Sequence, residues 1–228
     1  MKLLKKFALP LLLLSTLVLG VIASQLIISA PNDYQQGMAA KIMYIHVPCA
    51  WLAVGFFAAM GLNSAAFLVW RNVKFYLTAS ILAPIGATFA AITLISGAIW
   101  GKPTWGTWWV WDARLTSMLV LFLLYVGYIL INTPYHYNLN RARISSALAL
   151  IGLINVPLIK MSVYLWHSLH QTSSIFTPSG VAIHPAMLKP LIYSTVCLCC
   201  YSLYIYLLQY QRLKLTRKSV RHEIQNAR

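Results

Sequence analysis

At 228 residues, with 60% hydrophobic side chains, 9% charged ones and a mean hydropathy of +0.70, the chain is too apolar for a soluble domain. Its 18 Lys and Arg against 3 Asp and Glu give a formal charge of +15, so the placement of those charges decides between nucleic acid and membrane. So few carboxylates argue against acid–base and magnesium chemistry, and hence against most hydrolases and phosphoryl-transfer enzymes.

Six apolar runs cover residues 8–29, 48–70, 78–99, 115–131, 147–166 and 188–210. A bilayer core of about 30 Å takes roughly 20 helical residues, and backbone in lipid must satisfy its own hydrogen bonds. The expected fold class is therefore all-α: one polytopic six-helix membrane domain over residues 1–228.

Lys2, Lys5 and Lys6 precede the first run, which imitates a secretory signal. Its apolar core exceeds the roughly 7–15 residues of such signals, so it reads as a retained span. A polar outer loop, Pro31 to Tyr44, leads to His46-Val47-Pro48. Pro is tolerated in a first helical turn, which places His46 at or just above the membrane boundary. Interfacial hydrogen bonding is the plain alternative for this histidine. The short link from Arg71 to Lys74 makes the second and third spans antiparallel neighbours. Pro84, Gly86, Ala87, Ala90, Ala91 and Gly97 allow close approach along the third.

An outer loop at 100–114 holds five of the eight tryptophans: Trp100, Trp105, Trp108, Trp109 and Trp111. Indoles suit a lipid–water boundary, and an aromatic belt is one reading. A belt spreads over many helix ends, however. Five indoles in twelve residues, beside Lys102 and Arg114, suit a platform for a flat, partly anionic ligand. After the fourth span, Arg141, Arg143 and a solvated His136 lie in an inner loop. The fifth run contains Asn155, Pro157 and Lys160, the last expected to snorkel or to face a polar cavity. Trp166-His167-Ser168-Leu169-His170-Gln171 and His184 follow on the outer side. Cys197, Cys199 and Cys200 lie in the sixth run as packing residues without a C-x-x-C pair, and a basic tail fills 211–228.

In this topology 13 of the 18 basic residues fall on one side, which by the positive-inside rule makes both termini cytoplasmic. Nucleic-acid binding is not expected. The same topology puts His46, the tryptophan loop and His170 on one face. Two imidazoles could bind the two axial positions of haem iron, with indoles covering the macrocycle and Lys102 and Arg114 meeting its propionates. Asp112 either pairs with Arg114 or fixes the loop. His167 and His170, three apart, also suggest a small metal site, although no nearby carboxylate or thiolate completes it.

The run Trp105-Gly106-Thr107-Trp108-Trp109-Val110-Trp111-Asp112 resembles the WWD motif of haem-handling membrane proteins. With His46-Val47-Pro48 before it and Leu169-His170-Gln171 after it, nearly the whole chain resembles the cytochrome c maturation protein C family (CcmC, haem exporter protein C). The resemblance implies haem b carried as cargo at the periplasmic face of the inner membrane, with His46 and His170 as axial ligands and Trp100 to Asp112 as the platform. It further implies delivery to a membrane-anchored haem chaperone, maturation protein E, without enzymatic activity of the chain itself. Association with the ATP-binding and permease components of the maturation system, maturation proteins A and B, and with the small maturation protein D is implied as well. Met118, Tyr164, Leu165 and His184 depart from the acidic or aromatic residues common there. Rival readings are a permease moving haem or another solute across the bilayer, a haem lyase, and a scaffold merely anchored by its tryptophans.

Overall fold

A computed structural model describes residues 2–132, 134, 137–166, 169–170 and 182–226, and the side chains among them except those of 2–6, 165 and 215–226. Among the described residues the regular structure is helical: α1 (Lys2–Ser29), a 3₁₀ turn (Met38–Ile42), α2 (Met43–Trp70), α3 (Val73–Trp105), α4 (Ala113–Ile131), α5 (Leu139–Gly152), α6 (Asn155–Leu165) and α7 (Pro185–Asn226). Among the described residues, six stretches are long and apolar enough to cross a membrane, with α5 and α6 sharing the fifth.

The centre is the antiparallel pair α2–α3, on which α4, α5 and α7 pack, while α1 lies chiefly along α7. The α2–α3 turn is tight because Arg71 adopts a left-handed conformation (φ 55°) and donates its N–H to Phe67. Asn72 then caps α3 by accepting the Lys74 N–H at 3.0 Å. Small residues bring the helices together, as the apolar pattern predicts. A Cβ on Gly86 would occupy the Tyr125 phenol, whose hydroxyl donates to the Ala53 carbonyl at 2.7 Å.

Several boundaries differ from the sequence reading: α5 begins at Leu139, inside the expected inner loop, and α7 runs to Asn226 through the expected tail. The fifth span, expected as one helix, breaks at Leu153–Ile154. Pro157 has no N–H for the Leu153 carbonyl and its ring crowds that carbonyl, so the chain tightens into i→i−3 bonds there. The third helix, expected to end near residue 99, runs on to Trp105. Gly106 stops it, using a left-handed φ of 77° to return its N–H to the Lys102 carbonyl. Trp100 and Trp105 are therefore helical residues, and the loop proper is 106–112. Likewise α2 begins at Met43, so His46 sits in its first turn and Pro48 in its second.

Candidate functional site

The starts of α2 and α4 and the end of α3 meet at one end of the bundle. His46 lies against α3, with Nδ1 3.1 Å from Ser96 Oγ. The Ser96 hydroxyl donates to the Ile92 carbonyl at 2.6 Å, so its oxygen is the acceptor and His46 Nδ1 carries the proton. The lone pair then resides on Nε2. Gly97 makes the close approach possible, since a Cβ there would stand 3.0 Å from His46 Cε1. One turn on, Trp100 meets the imidazole edge to face, with centroids 5.7 Å apart. Its indole N–H donates to Gln36 Oε1 of the first loop at 2.8 Å.

Asp112 is buried and uses both carboxylate oxygens. Oδ1 accepts the Leu115 N–H at 2.7 Å and caps α4, while Oδ2 lies 3.1 Å from His170 Nδ1. The carboxylate thus assigns the His170 proton to Nδ1 and its lone pair to Nε2, the same tautomer as His46. Burial pushes the His170 imidazole below the usual histidine value; Asp112 pulls it back up and Arg114 adds to the lowering, leaving it neutral at pH 7. Trp105 meets the His170 ring at a centroid distance of 5.0 Å. Both imidazoles thus lean on the last turns of α3, and His46 is within electrostatic reach of His170 and Arg114.

The loop supplies the remaining indoles. Trp109 and Trp111 meet edge to face at 5.5 Å, and Trp108 and Trp111 are 57% and 75% exposed. Trp109 Nε1 is buried without a hydrogen-bond partner among the described residues. Flat apolar faces beside an unmatched donor fit a ligand that offers a ring system and oxygen acceptors. Arg114 is half-buried and within electrostatic reach of Asp112 and Tyr164.

Comparison of the sequence with known proteins shows the family. The profile of the family described as Heme exporter protein C matches residues 1–225. The chain belongs to that family. It is 43% identical to Heme exporter protein C of Bradyrhizobium diazoefficiens over 184 residues, 81% of this chain and 70% of that one. It is 47% identical to the Escherichia coli K12 protein of the same description over 165 residues, 72% of this chain and 66% of that one. A ccmC-like mitochondrial protein of cytochrome c biosynthesis from Marchantia polymorpha is 46% identical over 162 residues, 71% and 68% of the two chains. The family handles haem in cytochrome c maturation.

Of the residues singled out in the sequence, the structure brings His46, Trp100, Trp105, Asp112, Arg114 and His170 to one place. Lys102 turns elsewhere: its ammonium donates to the Gly106 carbonyl at 3.0 Å and lies 6.0 Å from the Trp108 ring centroid, closing the end of α3. His184 accepts the Ala186 N–H at 3.2 Å and so caps α7. Lys160 is exposed on the bundle surface, and Asn155 donates to the Ser117 carbonyl at 2.9 Å, pinning α6 to α4. His136, His167 and Gln171 lie outside the described residues. No three His, Cys, Asp or Glu side chains converge among the described residues. Sequence reasoning missed Gln36 and Ser96, and it named Gly97 only as a place of close helix approach, not as the neighbour of His46. Ser96 and Trp100, four apart, and Gly97 and Trp100, three apart, share a helix face; that spacing was the available signal.

Proposed function

We propose that the chain binds haem at the periplasmic face of the inner membrane and passes it to a membrane-anchored haem chaperone, maturation protein E, during c-type cytochrome maturation. The observation that carries this reading is the pair of imidazoles, His46 and His170, leaning on one helix end with both Nδ1 atoms engaged, so that each has Nε2 as its ligating nitrogen. Trp108, Trp109 and Trp111 supply the apolar cover, with Trp100 and Trp105 backing the imidazoles. The Trp109 N–H and Arg114 are the groups suited to the propionates, while Lys102 shields the loop's base. The cargo is haem b, which arrives and leaves without a net reaction performed by this chain. The ATP-binding and permease components, maturation proteins A and B, and the small maturation protein D are its expected partners. A permease reading would need a polar route through the bundle; Asn155 and Lys160, its candidates, are turned to a backbone carbonyl and to the bundle surface.

The test is the Soret absorbance of protein purified from membranes. His46→Ala and His170→Ala are each expected to reduce and shift it, and Trp109→Ala to lower haem retention with membrane insertion normal. Wild-type haem content in both histidine variants would overturn the ligand assignment. Unaltered retention in Trp109→Ala would favour the interfacial belt.

A further inference from the structure

The two imidazoles share a tautomer but not a partner. His170 Nδ1 faces a buried carboxylate oxygen at 3.1 Å, whereas the His46 imidazole has only neutral partners among the described residues, the Ser96 hydroxyl at the same distance from Nδ1 and the Thr93 backbone. A carboxylate behind an imidazole draws its N–H proton, raises the basicity of the opposite nitrogen and strengthens its bond to a metal. A serine hydroxyl that already donates to Ile92 offers only a neutral lone pair. Mechanical support differs in the same sense. Asp112 joins the His170 imidazole to the first turn of α4 and lies one residue after Trp111, so ligand, helix and indole shelf are tied at one carboxylate.

We infer that the two haem ligands are unequal by construction: Asp112 is a positioning residue that makes His170 the retained ligand, and Ser96 leaves His46 as the ligand that opens when haem is handed on. The inference rests on the haem-ligand reading above. The step is a ligand exchange. The His46 Nε2–iron bond breaks and its electron pair returns to the imidazole. An incoming donor from the acceptor supplies the replacing pair, and the iron keeps its oxidation state. The shelf and the His170 bond meanwhile hold the macrocycle in place.

The experiment uses full-length protein purified with haem, reduced with dithionite and exposed to carbon monoxide, which takes one axial position. The wild-type adduct is expected to match that of His46→Ala, and His46→Ala is expected to retain more haem than His170→Ala. Asp112→Asn keeps the Leu115 cap through its single amide oxygen and turns an NH2 donor toward His170 Nδ1, so α4 is preserved while the charge and the acceptor for that imidazole are removed together. It is expected to raise the iron reduction potential and to speed haem loss several-fold, with Ser96→Ala changing either reading far less. Asp112→Glu is expected to restore part of the potential. A wild-type adduct matching His170→Ala, or Ser96→Ala shifting the potential as much as Asp112→Asn, would overturn the asymmetry while leaving two histidine ligands standing. Full wild-type haem content in both histidine variants would instead remove the ligand reading on which the inference depends.

Discussion

An imidazole binds iron only through an unprotonated nitrogen, so on the proposed ligand reading the environment of His170 sets the acid limit of the site. Its folded value lies below the ordinary 6.5, chiefly because it is buried. The sign is that of a depressed base: the neutral, packed state contributes stability fully above 6.5, and that contribution is lost as pH falls toward the folded value. Haem uptake by the haem-free protein is therefore expected to be flat from pH 8 to about 6.5 and to decline on further acidification. A Soret titration checks this, and a decline already complete at pH 7 would contradict it. Trp100 serves a different purpose from the loop indoles, because its N–H is committed to Gln36. Trp100→Phe is expected to lower stability by about 1 kcal/mol, the net value of one hydrogen bond, and to leave most haem binding intact. Thermal unfolding and haem content measured together separate the two effects.

Among the elements, two of the three glycines of α3 admit different neighbours. Gly86 admits Tyr125, a fully buried ring tied to the Ala53 carbonyl. Gly86→Ala therefore overpacks the core and is expected to destabilise by about 1–3 kcal/mol. Among the described residues, Gly97 admits only the His46 imidazole. Gly97→Ala displaces that ring by a few tenths of an ångström, so haem retention is expected to fall while the melting temperature holds. Equal losses of stability in the two variants would show that His46 is simply a core residue. The break before α6 belongs to the same scale. Pro157→Ala returns an N–H to the Leu153 carbonyl and is expected to straighten the fifth span. That redirects the chain leading to His170, so haem affinity should drop as helicity measured by circular dichroism rises.

For the whole molecule, the disposition of basic residues predicts which end faces which compartment. Arg71, the first turns of α3 and α5 with Lys74, Arg141 and Arg143, and the basic C-terminal turns of α7 lie at the end opposite the tryptophan loop and carry most of the positive charge. In a background lacking Cys49, Cys197, Cys199 and Cys200, a cysteine at Thr107 is expected to react with an impermeant maleimide added outside intact spheroplasts. One at Arg143 should react only after the membrane is opened. The reverse pattern would place the indoles in the cytoplasm and end the proposal of periplasmic delivery.

Six membrane spans, the antiparallel order of α2 and α3, and one end rich in indole were legible in the sequence. They depend on local quantities: runs of apolar residues long enough for a bilayer, short links, and the positions of Lys and Arg. The break at Leu153 was within reach too, since Pro157 stood in the fifth run. The extension of α3 to Trp105 was not, because apolarity ends before helical hydrogen bonding does and Gly106, not composition, closes the helix. The partners of the two imidazoles belong wholly to tertiary structure. Ser96 lies fifty residues from His46, and Asp112 fifty-eight from His170. No sequence period links such pairs; only the packing of α2 on α3, and of the chain after α6 beside the first turn of α4, brings a hydroxyl to one ring and a carboxylate to the other.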